Sequence, residues 1–163
     1  MMKEIYNNLY VGNQEDYEGN VKHQIGWAIV HACKEPYHRQ ALGYTGRAAY
    51  KEHPEYLIAH RGNRLILNLI DVDNVEWISP DIIDEAIAFI DENILASKKV
   101  LVHCNQGMSR SASIAFLYLA TKGLYSGKDF ISSEYEFAKL YPQYSPAKGM
   151  REYMLTNWEK YCI

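Results

Sequence analysis

The sequence predicts an α/β fold in which a central, mostly parallel sheet of about four to five strands is flanked by helices. Three observations predict it. Short apolar runs at 25–33, 65–70 and 100–103 have the length and composition of buried strands. Between the last two lies a stretch, 80–96, whose apolar residues recur at helical spacing. A further stretch, Ser111 to Ala120, is almost continuously apolar, as a helix buried on all sides would be.

Taken in order, Ile5 to Gly12 alternates and ends at a glycine, which suggests a first strand or a hairpin. Ile25 to Cys33 reads as a buried strand. A polar stretch rich in tyrosine and histidine follows from Lys34 to Arg64, and Leu65 to Ile70 is the next strand. Pro80 sits where the first turn of a helix tolerates proline, with Ser79 as its N-cap and Asp81 and Asp84 near the positive end of the helix dipole. Ile82, Ile83, Ala86, Ile87, Ile90 and Ile94 form its core-facing stripe.

Strand, helix and the strand at 100–103 make a βαβ unit with parallel strands and a right-handed crossover. Ligands bind such sheets beyond the carboxyl ends of the strands, which is where Cys104 falls. Phe130, Ile131, Phe137, Ala138 and Leu140 suggest a further helix, and Met150, Tyr153, Met154 and Trp158 a last one. With 163 residues and no repeat or linker, residues 1–163 are expected to form one domain, carrying an unusual insertion at about 34–64.

Composition narrows the function. A net charge of -3 gives no sign of a polyanion-binding surface, so no nucleic acid partner is expected. No apolar run approaches the length that crosses a bilayer, and the first residues lack an apolar leader, so no membrane partner is expected either. The odd count of three cysteines, Cys33, Cys104 and Cys162, points to a reducing compartment and a cytoplasmic protein. The six histidines and three cysteines show no zinc-ligand spacing, and no cofactor is expected.

The chemistry is concentrated in His103-Cys104-Asn105-Gln106-Gly107-Met108-Ser109-Arg110-Ser111. This turn joins a strand to a helix, so unpaired backbone N–H groups and the positive end of the helix dipole favour an anion there. The same setting, with a nearby cation, favours the thiolate form of a cysteine. Arg110 offers a planar fork that holds two phosphate oxygens at once. The amides of Asn105, Gln106, Gly107, Met108 and Ser109 would complete a phosphate cup, and Gly107 lets the backbone approach closely. Ser111 can direct its hydroxyl at the sulfur and help it leave. A structural cysteine beside a solvated arginine would not need this strand, glycine and helix together.

His-Cys-x5-Arg-Ser resembles the signature of the cysteine-dependent protein tyrosine phosphatase superfamily, and HCNQGMSRSAS is similar to the dual-specificity protein phosphatase family. The short chain, the opening strand and the connection from Tyr144 to Met150 resemble the same family. The resemblance implies a phosphatase-like fold with the phosphate loop between strand and helix, and a cysteinyl-phosphate intermediate. For His103 it implies a hydrogen-bonding role that organises the loop and tunes the thiol.

Departure of an alkoxide or phenoxide requires an acid within hydrogen-bond reach of the leaving oxygen. Asp71 and Asp73 both follow the strand 65–70 and so reach the same sheet edge as Cys104. On the residues alone either qualifies. The family's acid sits on a loop leading into the helix, and the resemblance, including that of Ala88-Phe89-Ile90-Asp91, selects Asp73. Asn74 and Trp77 are expected beside the pocket, with Trp77 either packed on a substrate ring or buried in the core.

Three functions compete. The first is a protein phosphatase whose partner is a phosphorylated protein, acting on phosphotyrosine and phosphoserine or phosphothreonine. The second is a phosphatase for a phosphoinositide or an RNA 5′ phosphate, which the uncharged Asn105, Gln106, Met108 and Ser109 do not favour. The third is an inactive phosphopeptide-binding module, which has no use for a nucleophile. The insertion holds six basic residues (Lys34, Arg39, Arg47, Lys51, Arg61, Arg64) against Glu35, Glu52 and Glu55, a balance of +3. It is expected either to fold over the site mouth and bind an acidic substrate or to be a solvated excursion.

Overall fold

A computed structural model describes residues 1–163, and six strands assemble into one sheet in the order β1-β2-β6-β3-β5-β4. β1 (Lys3–Tyr6) and β2 (Leu9–Gly12) form a hairpin, the second of the two forms the sequence suggested. β3 (Trp27–His31), β5 (Arg64–Leu67) and β6 (Lys99–His103) run parallel in the centre, and β2 joins β6 in parallel. The two edge pairings, β1 with β2 and β4 (Ile58–Arg61) with β5, are antiparallel.

The sheet has one or two strands more than the sequence suggested, because β4 lies inside the insertion. Its half-exposed, charged sequence IAHR has the pattern of an edge strand, which no apolar run announces. The central strands are also shorter than their apolar runs. Ile25 is 98% exposed ahead of β3, and the chain leaves the sheet after Leu67, with Ile70 half exposed.

α3 (Pro80–Leu95) packs Ile82, Ile83, Ala86 and Ile90 into the core, with Ile87 and Ile94 at its margin. Ser79 is its N-cap residue, but its side chain makes no capping bond; Pro80 at the first helical position has no N–H that needs a partner. α4 (Arg110–Thr121) is buried from Ser111 to Ala120, which explains its continuous apolar sequence. α5 (Phe130–Leu140), α6 (Lys148–Thr156) and α7 (Trp158–Tyr161) close the C-terminal side. Two short helices complete the chain, α1 (Gln14–Glu18), held by an Asn13–Asp16 capping box, and α2 (Arg39–Leu42) in the insertion. No helix is long and apolar enough to cross a membrane.

Within the insertion two of the six basic residues are paired with carboxylates and a third is held by a backbone carbonyl. Arg39 pairs with Glu35 at 2.8 Å, Arg61 with Glu55 at 2.8 Å, and Lys34 donates to the Arg47 carbonyl at 2.5 Å. One hydrogen bond ties the insertion to the phosphate loop, from Asn105 Nδ2 to the Glu35 carbonyl at 3.0 Å.

Candidate active site

β6 ends at His103, α4 begins at Arg110, and the six residues between them curl at the carboxyl edge of the sheet. Gly107 has φ of +74°, and a Cβ there would stand 2.9 Å from the carbonyl of Gly12 at the end of β2. Only glycine combines that backbone angle with that approach. The loop is therefore seated directly on the neighbouring strand end.

Cys104 lies at the base of this loop, 2% exposed. The Gly107 N–H donates to its Sγ at 3.3 Å, and Ser111 Oγ lies 3.1 Å away. The Gly107 N–H and the Ser111 hydroxyl thus both converge on the sulfur. Arg110 closes the ring: Nη1 donates to the Leu69 carbonyl at 3.1 Å and Nη2 to Asn105 Oδ1 at 2.8 Å. Its Nε is buried without a hydrogen-bond partner, with the nearest acceptor charge at Asp71 Oδ2, 3.7 Å away. A buried, unsatisfied N–H on a cation costs stability until an acceptor arrives, so the arrangement suits an oxyanion.

Cys104, Arg110 and Asn105, Gln106, Met108 and Ser109 line a cavity of about 540 Å³, together with Asp71 and the segment Ser145–Ala147. That segment belongs to the connection between α5 and α6, which clamps the loop from outside. Tyr141 donates its hydroxyl to the Gly107 carbonyl at 2.6 Å, the Ser145 N–H donates to the Met108 carbonyl at 2.8 Å, and the Ala147 N–H donates to Ser109 Oγ at 2.8 Å. Burial, reinforced by the charge on Cys104, pushes the Tyr141 phenol up to about 12, so it remains a donor. The Ser109 hydroxyl in turn donates a hydrogen bond to Asp71 Oδ1 at 2.8 Å.

The family description "dual specificity phosphatase, catalytic domain" matches residues 9–149, most of the chain. The chain belongs to the dual-specificity phosphatase family. No curated protein sequence matches it. Among solved structures, that of Cydia pomonella PTP-2 phosphatase is similar in fold, with a TM-score of 0.63 and 17% identity, covering 96% of this chain and 89% of that one. DUSP15 gives a TM-score of 0.60 and 20% identity over 96% and 86% of the two chains. Human DUSP28 gives 0.59 and 16% over 98% and 93%. This dual-specificity phosphatase is thus a cysteine-dependent phosphatase of the protein phosphatase class.

Within the dual-specificity domain, the residues expected at the site do not all meet. Cys104, Arg110, Ser111 and the loop 105–109 come together as the motif implies. His103 is fully buried behind the loop, where Nδ1 lies 3.2 Å from the Cys104 carbonyl. Asp71 lines the cavity. Asp73, two residues on, is exposed and does not. The loop is pinned between them, because Val72 is buried and its carbonyl accepts from the Gly149 N–H at 2.9 Å, after which Asn74 caps the turn Val75–Trp77. Asn74 and Trp77 do not line the cavity, and Trp77 is neither in the core nor packed on the site but 72% exposed. The insertion contributes no lining residue. The connection Tyr144–Met150 stood out in the sequence only as a family resemblance; its clamping of the loop and the part of Tyr141 were missed, since one tyrosine among fourteen carries no local signal.

Proposed function

We propose that this protein hydrolyses phosphotyrosine and phosphoserine or phosphothreonine esters of a phosphorylated protein through a cysteinyl-phosphate intermediate. The observation that carries the reading is the buried Arg110 Nε without an acceptor, in the same cavity as the Cys104 sulfur. A phosphoryl group in the loop would satisfy that donor and face the nucleophile at once.

Cys104 attacks phosphorus, the P–O bond to the substrate breaks, and the leaving oxygen takes a proton from an aspartic acid. Water then attacks the thiophosphate, the same aspartate takes its proton, and Ser111 donates a hydrogen bond to the departing sulfur. Arg110 and the amides of residues 105–109 hold the non-bridging oxygens through both steps. His103 orients the loop through the Cys104 carbonyl.

Asp73 is the proton donor in this scheme. Asp71 is nearer, but its carboxylate already accepts from Ser109 and lies beside Arg110, so it acts as an anchor for the cradle. Asp73 has no partner on its loop and is free to carry a proton to a leaving group at the cavity rim. Arg110 is the single basic side chain lining the cavity, which suits a monoester better than a polyphosphorylated inositol or RNA 5′ end. Residues 1–163 act as one catalytic domain, and three free cysteines suit the cytoplasm.

The test is turnover of phosphopeptides, phosphoinositides and triphosphorylated RNA by wild type and three variants. Cys104→Ser should be inactive. Asp73→Asn should lose about a hundredfold in kcat on phosphoserine peptides, and less on an aryl phosphate whose leaving group needs no proton. Asp71→Asn should mainly raise KM. Full activity in Cys104→Ser would end the mechanism, and a reversal of the two aspartate results would move the acid to Asp71.

A further inference from the structure

His31 and His103 stand opposite each other in register on the adjacent parallel strands β3 and β6, both fully buried. His31 Nδ1 is 2.6 Å from His103 Nε2. Arg64 Nη1 is 3.1 Å from His31 Nε2, and His103 Nδ1 is 3.2 Å from the Cys104 carbonyl. The two ends of this chain determine every proton inside it. A guanidinium can only donate and a carbonyl can only accept. His31 Nε2 is therefore an acceptor, the ring proton of His31 sits on Nδ1, His103 Nε2 accepts it, and His103 Nδ1–H donates to Cys104. Each neutral ring supplies one donor and one acceptor, and any other tautomer sets two donors or two acceptors face to face.

We propose that His31 and Arg64 are positioning residues for the nucleophile, acting through His103 on the peptide that follows Cys104. That peptide is planar and trans, so its N–H points opposite to its C=O. Holding the Cys104 carbonyl back toward His103 turns the Asn105 N–H toward the phosphate cup. The chain also aligns its dipoles with their positive ends toward the loop, fed at the far end by the Arg64 cation, and such chains strengthen one another in a low-dielectric interior.

The surroundings lock the rings in place. Tyr17 of α1 stacks on His103 with centroids 5.3 Å apart and meets His31 edge-on at 4.6 Å. Tyr37 stacks on His31 at 4.0 Å and donates its hydroxyl to Glu18 at 2.7 Å. The charges facing His103 are Glu18 and Asp16 from α1 and Arg110 from α4, and those facing His31 are Arg64 and Lys22. Burial keeps both rings neutral, with His103 pushed down to about 4 and His31 also pushed down, by burial first and then by the facing ring and Arg64.

The inference rests on the phosphatase reading only for the meaning of the nucleophile, and its test uses no phosphatase turnover. Long-range proton–nitrogen correlation spectra of the nitrogen-15-labelled full chain should show both His31 and His103 as Nδ1–H tautomers. An Nε2–H signal from either ring overturns the proposal. In His31→Phe and Arg64→Met, iodoacetamide alkylation of Cys104 at about pH 6 should slow about tenfold while staying within about twofold at about pH 9.5, where the thiolate no longer needs support. His31→Asn, which still offers a donor and an acceptor, should recover most of the loss. Equal slowing at both pH values, or none, sinks the idea. Should His31→Phe fail to fold, the wild-type tautomers and Arg64→Met decide. A chain with the expected tautomers and no turnover would refute the phosphatase reading alone.

Discussion

The carbonyl of Val72 occupies the space where a Cβ on Gly149 would stand: the two atoms would be 2.3 Å apart, and the Gly149 N–H donates to that same carbonyl at 2.9 Å. The first turn of α6 thus holds the acidic loop at the one residue between Asp71 and Asp73. Gly149→Ala should push this loop away from the cavity. We expect a stability loss of about 1–3 kcal/mol from overpacking, and a drop in kcat on the order of tenfold to a hundredfold from misplaced carboxylates. Urea denaturation and steady-state kinetics on one preparation check both. A stability loss with unchanged kcat would show that the contact only supports the fold.

Ser111 lies 3.1 Å from the Cys104 sulfur and 3.4 Å from the Gly12 carbonyl, buried on both counts. Its hydroxyl matters most when sulfur must leave phosphorus. Ser111→Ala should therefore keep a fast first step and slow the second, giving a burst of leaving group and a trapped phosphoenzyme. Rapid-quench kinetics with an aryl phosphate measure this, and a variant slowed equally in both steps would assign Ser111 to the loop's geometry.

His103 links pH to stability. Its folded pKa, about 4, lies below the ordinary histidine value of 6.5, chiefly because of burial. As pH falls, the unfolded chain takes up the proton first, so the stability present above about 6.5 drains away toward 4. The slope is about 1.4 kcal/mol per pH unit, or about 2 kcal/mol by pH 5, and His31, shifted the same way, adds to it. Carboxylates such as Glu55, held down to about 2 mainly by its hydrogen bonds to Arg61, act only below their ordinary value of 4.5. Urea midpoints at pH 7 and pH 5 separate the two ranges, and a flat profile between them would contradict the buried neutral pair.

Burial pushes the Cys33 thiol up to about 12, and the residue is 0% exposed two positions past the end of β3. Iodoacetamide at neutral pH should leave Cys33 untouched in the folded protein and label Cys104, with inorganic phosphate slowing the labelling. Peptide mass mapping reads the result, and early labelling of Cys33 would mean that the sheet edge opens.

Much of this protein was legible in the chain itself. The stripe on α3, the continuous apolar run of α4 and the phosphate loop from His103 to Ser111 are local patterns, fixed by helical spacing and by a turn that must expose N–H groups to an anion. The edge strand β4 was hidden because half-exposed strands need no apolar run. On the residues alone Asp71 and Asp73 could not be told apart, because both follow the same strand; only the family resemblance selected Asp73. Only the tertiary fold buried Val72 between them, gave one carboxylate to Ser109 and Arg110 and left the other in solvent. His31 and His103 are 72 residues apart, and Tyr141 and Gly107 34. Their hydrogen bonds depend on which strands become neighbours and on how the α5–α6 connection lies across the sheet edge. Sequence alone determined that Cys104 and Arg110 share a loop; strand order and long-range packing decided what stands behind and around it.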